Sequence, residues 1–246
     1  MNKKHFFIVG AQRSGTTYLY TILDEHPEIC MAKPIKPEPK YFLQKQININ
    51  DYYKKYYKDC KKTTKVFGEK STSYYESRQV AQRLANTFPM AKIIFILANP
   101  IHRAISNYKF SYENGLETRS LENALLSNDI NINYTTSVNP FAYKERGKYH
   151  KYLEYYYEFF PKENIKILIK ENFIGNQLEI KELYNFLEVE SNFIPKHKND
   201  KINQTKTRLD ISELNNIKKE LYDYYQEYNQ ILKDKFNLNI KCWEQL

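Results

Sequence analysis

Gly10-Ala11-Gln12-Arg13-Ser14-Gly15-Thr16-Thr17 is the stretch of this chain whose residue types and spacing most directly suggest chemistry. It follows a short apolar run, residues 6–9, and opens into a helical pattern carried by Leu19, Ile22 and Leu23. The first N–H groups of a helix have no partner in the chain, and the helix dipole favours negative charge beside them. A Gly-bounded turn between strand and helix therefore cradles an anion. The spacing of Gly10 and Gly15 is that of a phosphate-binding loop, but Thr16 stands where a triphosphate-binding loop carries its lysine. Arg13 places a cation inside the loop instead. Such a loop suits one terminal phosphate rather than a magnesium-bound triphosphate. Arg13, Ser14 and the N–H groups of Gly15, Thr16 and Thr17 would grip it. The Thr16 and Thr17 hydroxyls could add hydrogen bonds, cap the helix, or do both.

Three further groups of residues could act with this loop. Arg103 and Ser106 follow an Asn99-Pro100 turn and lie three apart on an expected helix, so they share a face and can reach one anion. Glu38 stands between Pro37 and Pro39, which restrict its backbone. Lys33, Lys36, Lys40 and Lys45 surround it in sequence, and neighbouring cations favour a charged carboxylate. That suits a general base, although the residues alone better describe a solvated loop glutamate. Lys70, beside Glu69, reads as an active-site cation or a surface lysine. Glu69 reads as a partner for Lys70 or as an alternative base.

Taken together, these segments resemble the sulfotransferases that use 3′-phosphoadenosine 5′-phosphosulfate (PAPS). Gly10 to Thr17 looks like their 5′-phosphosulfate loop. Residues 98–106, Ala-Asn-Pro-Ile-His-Arg-Ala-Ile-Ser, look like their 3′-phosphate motif, with Ala98 in place of an initial Arg. Glu38-Pro39-Lys40-Tyr41-Phe42 and Gly68-Glu69-Lys70-Ser71-Thr72-Ser73-Tyr74-Tyr75 resemble segments of the glycan branch related to the heparan sulfate N- and O-sulfotransferases. Pro37 occupies a position where that branch has Lys. Arg146-Gly147-Lys148-Tyr149 fits the same group.

The resemblance implies an in-line transfer of the sulfuryl group from PAPS to a hydroxyl or amine of an acceptor, a carbohydrate by preference. Glu38 would be the base and Lys70 would lie by the acceptor. Arg103 and Ser106 would hold the 3′-phosphate, and Lys206 and Arg208 would close over the nucleotide. No metal is implied. Three alternatives stay open: a protein-tyrosine sulfotransferase, a P-loop kinase of small molecules, and a polyanion-binding module without catalysis.

The elements that must position these residues read as one α/β domain over residues 1–246, a P-loop-type three-layer fold with a central parallel sheet flanked by helices. Strands are expected at 6–9, 66–68, 92–97 and 165–169. Helices are expected at 16–24, 50–58, 78–87, from Pro100 onward, and at 148–160, 177–187 and 213–235. Residues 69–75 read as a loop, and residues 128–142 as a polar lid. Both phosphate motifs follow strands, and so belong at the carboxyl edge of the sheet, where ligands bind in such folds.

Composition narrows the partners. The net charge of +9 favours anions, and its spread suits a polyanionic cofactor and an acidic glycan rather than nucleic acid. The run from Lys54 to Lys65 reads mainly as compositional bias, as do many of the 23 tyrosines. No apolar run reaches the length of a membrane span, so stable membrane insertion is not expected. Cys30, Cys60 and Cys242 have neither metal-ligand nor paired spacing. They read as three reduced thiols, which points to a cytoplasmic protein.

Overall fold

The computed structural model describes residues 4–127, 140–200 and 211–244, without side-chain detail at 211–213. In chain order the elements are β1 (Lys4–Gly10), α1 (Thr16–Asp24), β2 (Ile29–Met31), α2 (Ile49–Tyr56), β3 (Val66–Lys70), α3 (Arg78–Thr87), β4 (Lys92–Leu97), α4 (Pro100–Glu113), α5 (Leu121–Leu126), α6 (Tyr149–Tyr157), β5 (Ile165–Ile169), α7 (Lys170–Phe173), α8 (Gln177–Leu187) and α9 (Ile211–Phe236). They fall into two compact units. The first comprises Met1–Leu97 and Glu154–Ile202, the second Ala98–Leu153 and Asn203–Leu246.

The first unit is built on a five-stranded sheet in the order β2-β3-β1-β4-β5, with every neighbouring pair parallel. Residues 93–97 of β4 are all fully buried, as a strand covered on both faces requires. On one face α1 and α8 pack Leu19, Ile22, Leu23, Ile180 and Leu183 against Phe6, Ile8, Ile94 and Ile96. Each of these aliphatic side chains contributes about 1.5–3 kcal/mol by leaving water.

The opposite face is aromatic. Phe7, Phe42, Tyr52 and Phe88 meet there edge-on or tilted, with ring centroids 5.4–6.3 Å apart. Much of the tyrosine content is therefore core, with the hydroxyls bonded inside.

Local chemistry starts and stops the elements. Asn48 caps α2 by accepting from the N–H groups of Asn50 and Asp51, and Ser77 caps α3 by accepting from Val80. In the second unit Asn99 caps α4 by accepting from Ile101, with Pro100 in the first turn, where a missing N–H costs nothing. There α4 and α5 bury Ile101, Ala104, Leu121 and Leu125 against Leu221 and Tyr225 of α9.

The structure departs from the sequence expectations in several places. Glu69 and Lys70 lie on β3 rather than in a loop, because β3 runs beside β1 as far as the Ile8–Lys70 register. The edge strand β2 and the short helix α5 were not expected from the periodicity. Most of the expected lid, 128–139, falls outside the described residues.

The thiol expectation is corrected outright. Cys30 on β2 and Cys60 beyond α2 form a disulfide, and the exposed Cys242 lies outside the bridge. Thirty residues separate the two in sequence, so spacing carries no signal. Their Cα atoms lie 5.6 Å apart, within the range a disulfide bridges. The inference of a cytoplasmic setting loses the premise it stood on.

Candidate active site

The loop after β1 has the features of an anion cradle. Gly10 passes so close to Tyr75 that a Cβ there would sit 2.6 Å from the Tyr75 Cβ. Ala11 donates its N–H to the Ile96 carbonyl, tying the loop to β4. Arg13 and Gly15 adopt left-handed backbone conformations, φ 67° and 94°. Gly15 is the N-cap of α1 and offers no side chain, and the first turn holds no acidic residue. The expectation that Thr16 or Thr17 caps the helix is corrected: both stand inside it, and α1 has no side-chain cap. Ser14 is fully buried, yet its hydroxyl has no hydrogen-bond partner. An uncapped helix start beside a buried hydroxyl of this kind fits a phosphate oxygen.

Across the neighbouring strand lies a carboxylate–ammonium pair. Lys70 Nζ donates to Glu38 Oε1 at 2.6 Å, with the two side chains 4% and 16% exposed. The Thr72 N–H donates to Glu38 Oε2 at 2.8 Å, and the Thr72 hydroxyl lies 3.0 and 3.2 Å from the two carboxylate oxygens. A cation beside Glu38 is thus Lys70, 32 residues on in the sequence. Lys33, expected in the Glu38 patch, pairs with Asp24 instead. Ser71 N–H bonds the Ile8 carbonyl and Tyr75 N–H the Val9 carbonyl, so this cluster borders the phosphate loop at one edge of the sheet.

Glu69 is neither partner to Lys70 nor an accessible base. Its carboxylate is completely buried, and it accepts from Tyr52 and Ser71 hydroxyls at 2.6 Å each. Burial pushes its carboxyl above the ordinary carboxylate range, and hydrogen bonds from Ser71, Tyr52 and Tyr74 oppose that rise.

The second unit carries the other expected phosphate residues. Arg103 is 1% exposed, and its guanidinium donates to Asn107 Oδ1 at 3.2 Å and to the Tyr143 carbonyl. Asn107 also accepts from the buried Arg146 at 3.3 Å. Ser106 is half-buried on the same helix. Lys206 and Arg208 lie outside the described residues.

Sequence reasoning missed several residues. Ser71 and Thr72 were inside a quoted segment but had no assigned role. Tyr52 and Tyr74 were lost among many tyrosines. Lys170 begins α7 at the carboxyl end of β5, and its Cγ lies 3.6 Å from where a Gly15 Cβ would be. A lysine directly after an apolar strand was the one available signal. Among the described residues no cluster of His, Cys, Asp and Glu has the geometry of a metal site. No described helix is long and apolar enough to cross a membrane.

The comparisons with known proteins agree on the fold. The sulfotransferase domain family matches residues 3–239. The membrane-associated sulfotransferase kil1 of Dictyostelium discoideum is 33% identical over 111 residues, 44% of this chain and 23% of that protein. The human bifunctional heparan sulfate N-deacetylase/N-sulfotransferase 3 is 38% identical over 112 residues, 42% of this chain and 12% of that protein. The Drosophila melanogaster bifunctional enzyme is 26% identical over 216 residues, 75% of this chain and 20% of that protein. The matched regions therefore span less than a quarter of each of these relatives. A crystal structure of a sulfotransferase from Alicyclobacillus acidocaldarius superposes with a TM-score of 0.80 at 23% identity, covering 99% of both chains.

Proposed function

The chain belongs to the sulfotransferase domain family, and from that premise we propose that it moves the sulfuryl group of PAPS to a hydroxyl or amine of a carbohydrate, with Glu38 as general base. One observation carries the reading. Adjacent parallel strands β1 and β3 deliver, at one sheet edge, an uncapped helix start with a buried unpartnered hydroxyl and a carboxylate held by an ammonium. When bound, PAPS supplies the activated sulfuryl group and its phosphate leaving group.

The residues of the chain do the rest. The loop from Gly10 to Thr17 holds the 5′-phosphate, with Arg13 and the first N–H groups of α1 taking up charge as the bridging oxygen departs. Glu38 accepts the proton of the acceptor as its oxygen or nitrogen bonds to sulfur and the sulfur–oxygen bond to the phosphate breaks. A positioned base of this kind contributes roughly 10²–10⁴-fold. Lys70 holds Glu38 in place through one of its three N–H groups. Arg103 and Ser106 are assigned to the 3′-phosphate, and Lys206 and Arg208 to covering the nucleotide. The glycan assignment draws on the heparan sulfate relatives and on the Glu38 and Lys70 segments they resemble.

Thermal unfolding tests the donor. A ligand that binds only the folded state stabilises it, by about 2.7 kcal/mol at a hundred times its Kd. The expected result is a clear rise in Tm with 3′,5′-ADP, the product nucleotide, and a much smaller one with ATP and magnesium. Equal stabilisation by ATP and magnesium would overturn the assignment in favour of a kinase. Turnover with labelled PAPS against a panel of glycans then identifies the acceptor.

A further inference from the structure

Glu38 lies in an irregular segment between β2 and α2, and something must hold that segment in register with the phosphate loop. The end of β3 does so one residue at a time. Lys70 and Thr72 bind the Glu38 carboxylate. Between them, Ser71 Oγ accepts the Lys40 N–H at 2.8 Å. Two residues further on, the Tyr74 hydroxyl accepts the Phe42 N–H at 2.9 Å. From α2, the Tyr56 hydroxyl donates to the Pro39 carbonyl at 3.3 Å.

A hydroxyl carries one proton, and it accepts reliably from a backbone N–H only when that proton is committed elsewhere. The proton of Ser71 goes to the buried Glu69 carboxyl, at Oε1. Tyr52 of α2 donates to the other oxygen, Oε2. Each Glu69 oxygen thus accepts from one hydroxyl, and this sets the direction of the Ser71 bond.

We propose that Glu69 is the positioning residue for the candidate base: by taking the Ser71 proton it leaves that hydroxyl to accept the Lys40 N–H, and so fixes the segment that carries Glu38. This gives a fully buried acid a function in an edge of the site that it cannot reach. The inference rests on the reading of Glu38 as the base.

A double-mutant cycle separates the two claims. Ser71→Ala removes the relay hydroxyl, and Glu69→Gln replaces one accepting carboxyl oxygen by an amide nitrogen that can only donate. Each is made alone and in a Glu38→Gln background, with kcat measured on a glycan acceptor, 3′,5′-ADP affinity measured by calorimetry, and Tm recorded. Misplacing a reacting group by about an ångström costs roughly 10²-fold. The expected result is a loss of kcat of about 10- to 100-fold for each single variant, with nucleotide affinity unchanged.

In the Glu38→Gln background the same changes should cost less than about threefold, because residues acting through one group are not additive. Equal losses in both backgrounds would overturn the positioning role while leaving Glu38 as base. A Glu38→Gln enzyme within a few fold of the original would overturn the reading of Glu38 itself. Should Glu69→Gln fail to fold, the Ser71→Ala arm decides alone.

Discussion

Glu117, in the second unit, shows what a buried carboxylate looks like when it serves stability rather than position. It is 5% exposed. It accepts from the Arg119 guanidinium at 2.7 and 3.0 Å, from the N–H groups of Thr118 and Arg119 at 3.0 Å, and from the Tyr143 hydroxyl at 3.0 Å. Burial alone would raise its pKa, but these donors outweigh burial and hold the carboxyl below its ordinary value. The folded state therefore binds its proton less readily than the unfolded chain. The resulting stability is complete above the ordinary carboxylate range and is lost as pH falls through the lowered folded pKa. Glu117→Gln should cost roughly 1.5–3 kcal/mol at neutral pH, the range for hydrogen bonds to a charged group. The gap in Tm between the two proteins should shrink as pH drops below about 4. A gap that stays constant from pH 7 to pH 3 would show that the charge of Glu117 does not matter. Glu69 has the opposite sign: burial raises its pKa, and the hydroxyls that donate to it oppose the rise.

At the scale of elements, the covalent tie between β2 and the segment after α2 stands out. α2 supplies Tyr52 to Glu69 and Tyr56 to Pro39, so the disulfide anchors an element that supports the site. Closing a loop of 30 residues removes chain entropy worth about 3–4 kcal/mol on the loop-closure account. The double variant Cys30→Ser, Cys60→Ser should unfold at lower denaturant by about that amount, and a reducing agent should lower the Tm of the original protein but not of the variant. A reducing agent without effect on the original would show that the bridge contributes nothing. Nearby ties are weaker. The Lys65–Glu28 pair, 2.6 Å apart, leaves its lysine 58% exposed and is worth at most about 1 kcal/mol.

For the molecule as a whole, the excess of cations is the property that reaches furthest into solvent. A net charge of +9 draws polyanions to the surface and is screened beyond about 10 Å at 0.1 M salt. If the acceptor is an acidic glycan, its KM should rise several-fold between low and moderate salt, while that of an uncharged sugar acceptor should barely change. Steady-state kinetics at several salt concentrations give the answer. A flat KM for both would assign acceptor recognition to uncharged contacts.

The parts of this protein that depend on local chemistry were legible in the sequence. The helices at 16–24, 78–87 and 177–187 and the strands at 92–97 and 165–169 occur where the apolar pattern puts them. The turn from β1 into α1 was legible because a short Gly-bounded turn is determined by its own backbone. What only the tertiary structure decided depends on which strands lie side by side. β2 has three residues and no periodicity of its own, and it exists because β3 offers it an edge. Likewise, only the fold brings Cys30 within bonding distance of Cys60. The register of β1 with β3 carries Glu69 and Lys70 into the sheet, turning one into a buried hub and the other into the partner of Glu38. Pairings between residues some thirty positions apart leave no trace in spacing, because parallel strands meet through long crossovers whose length does not encode who meets whom.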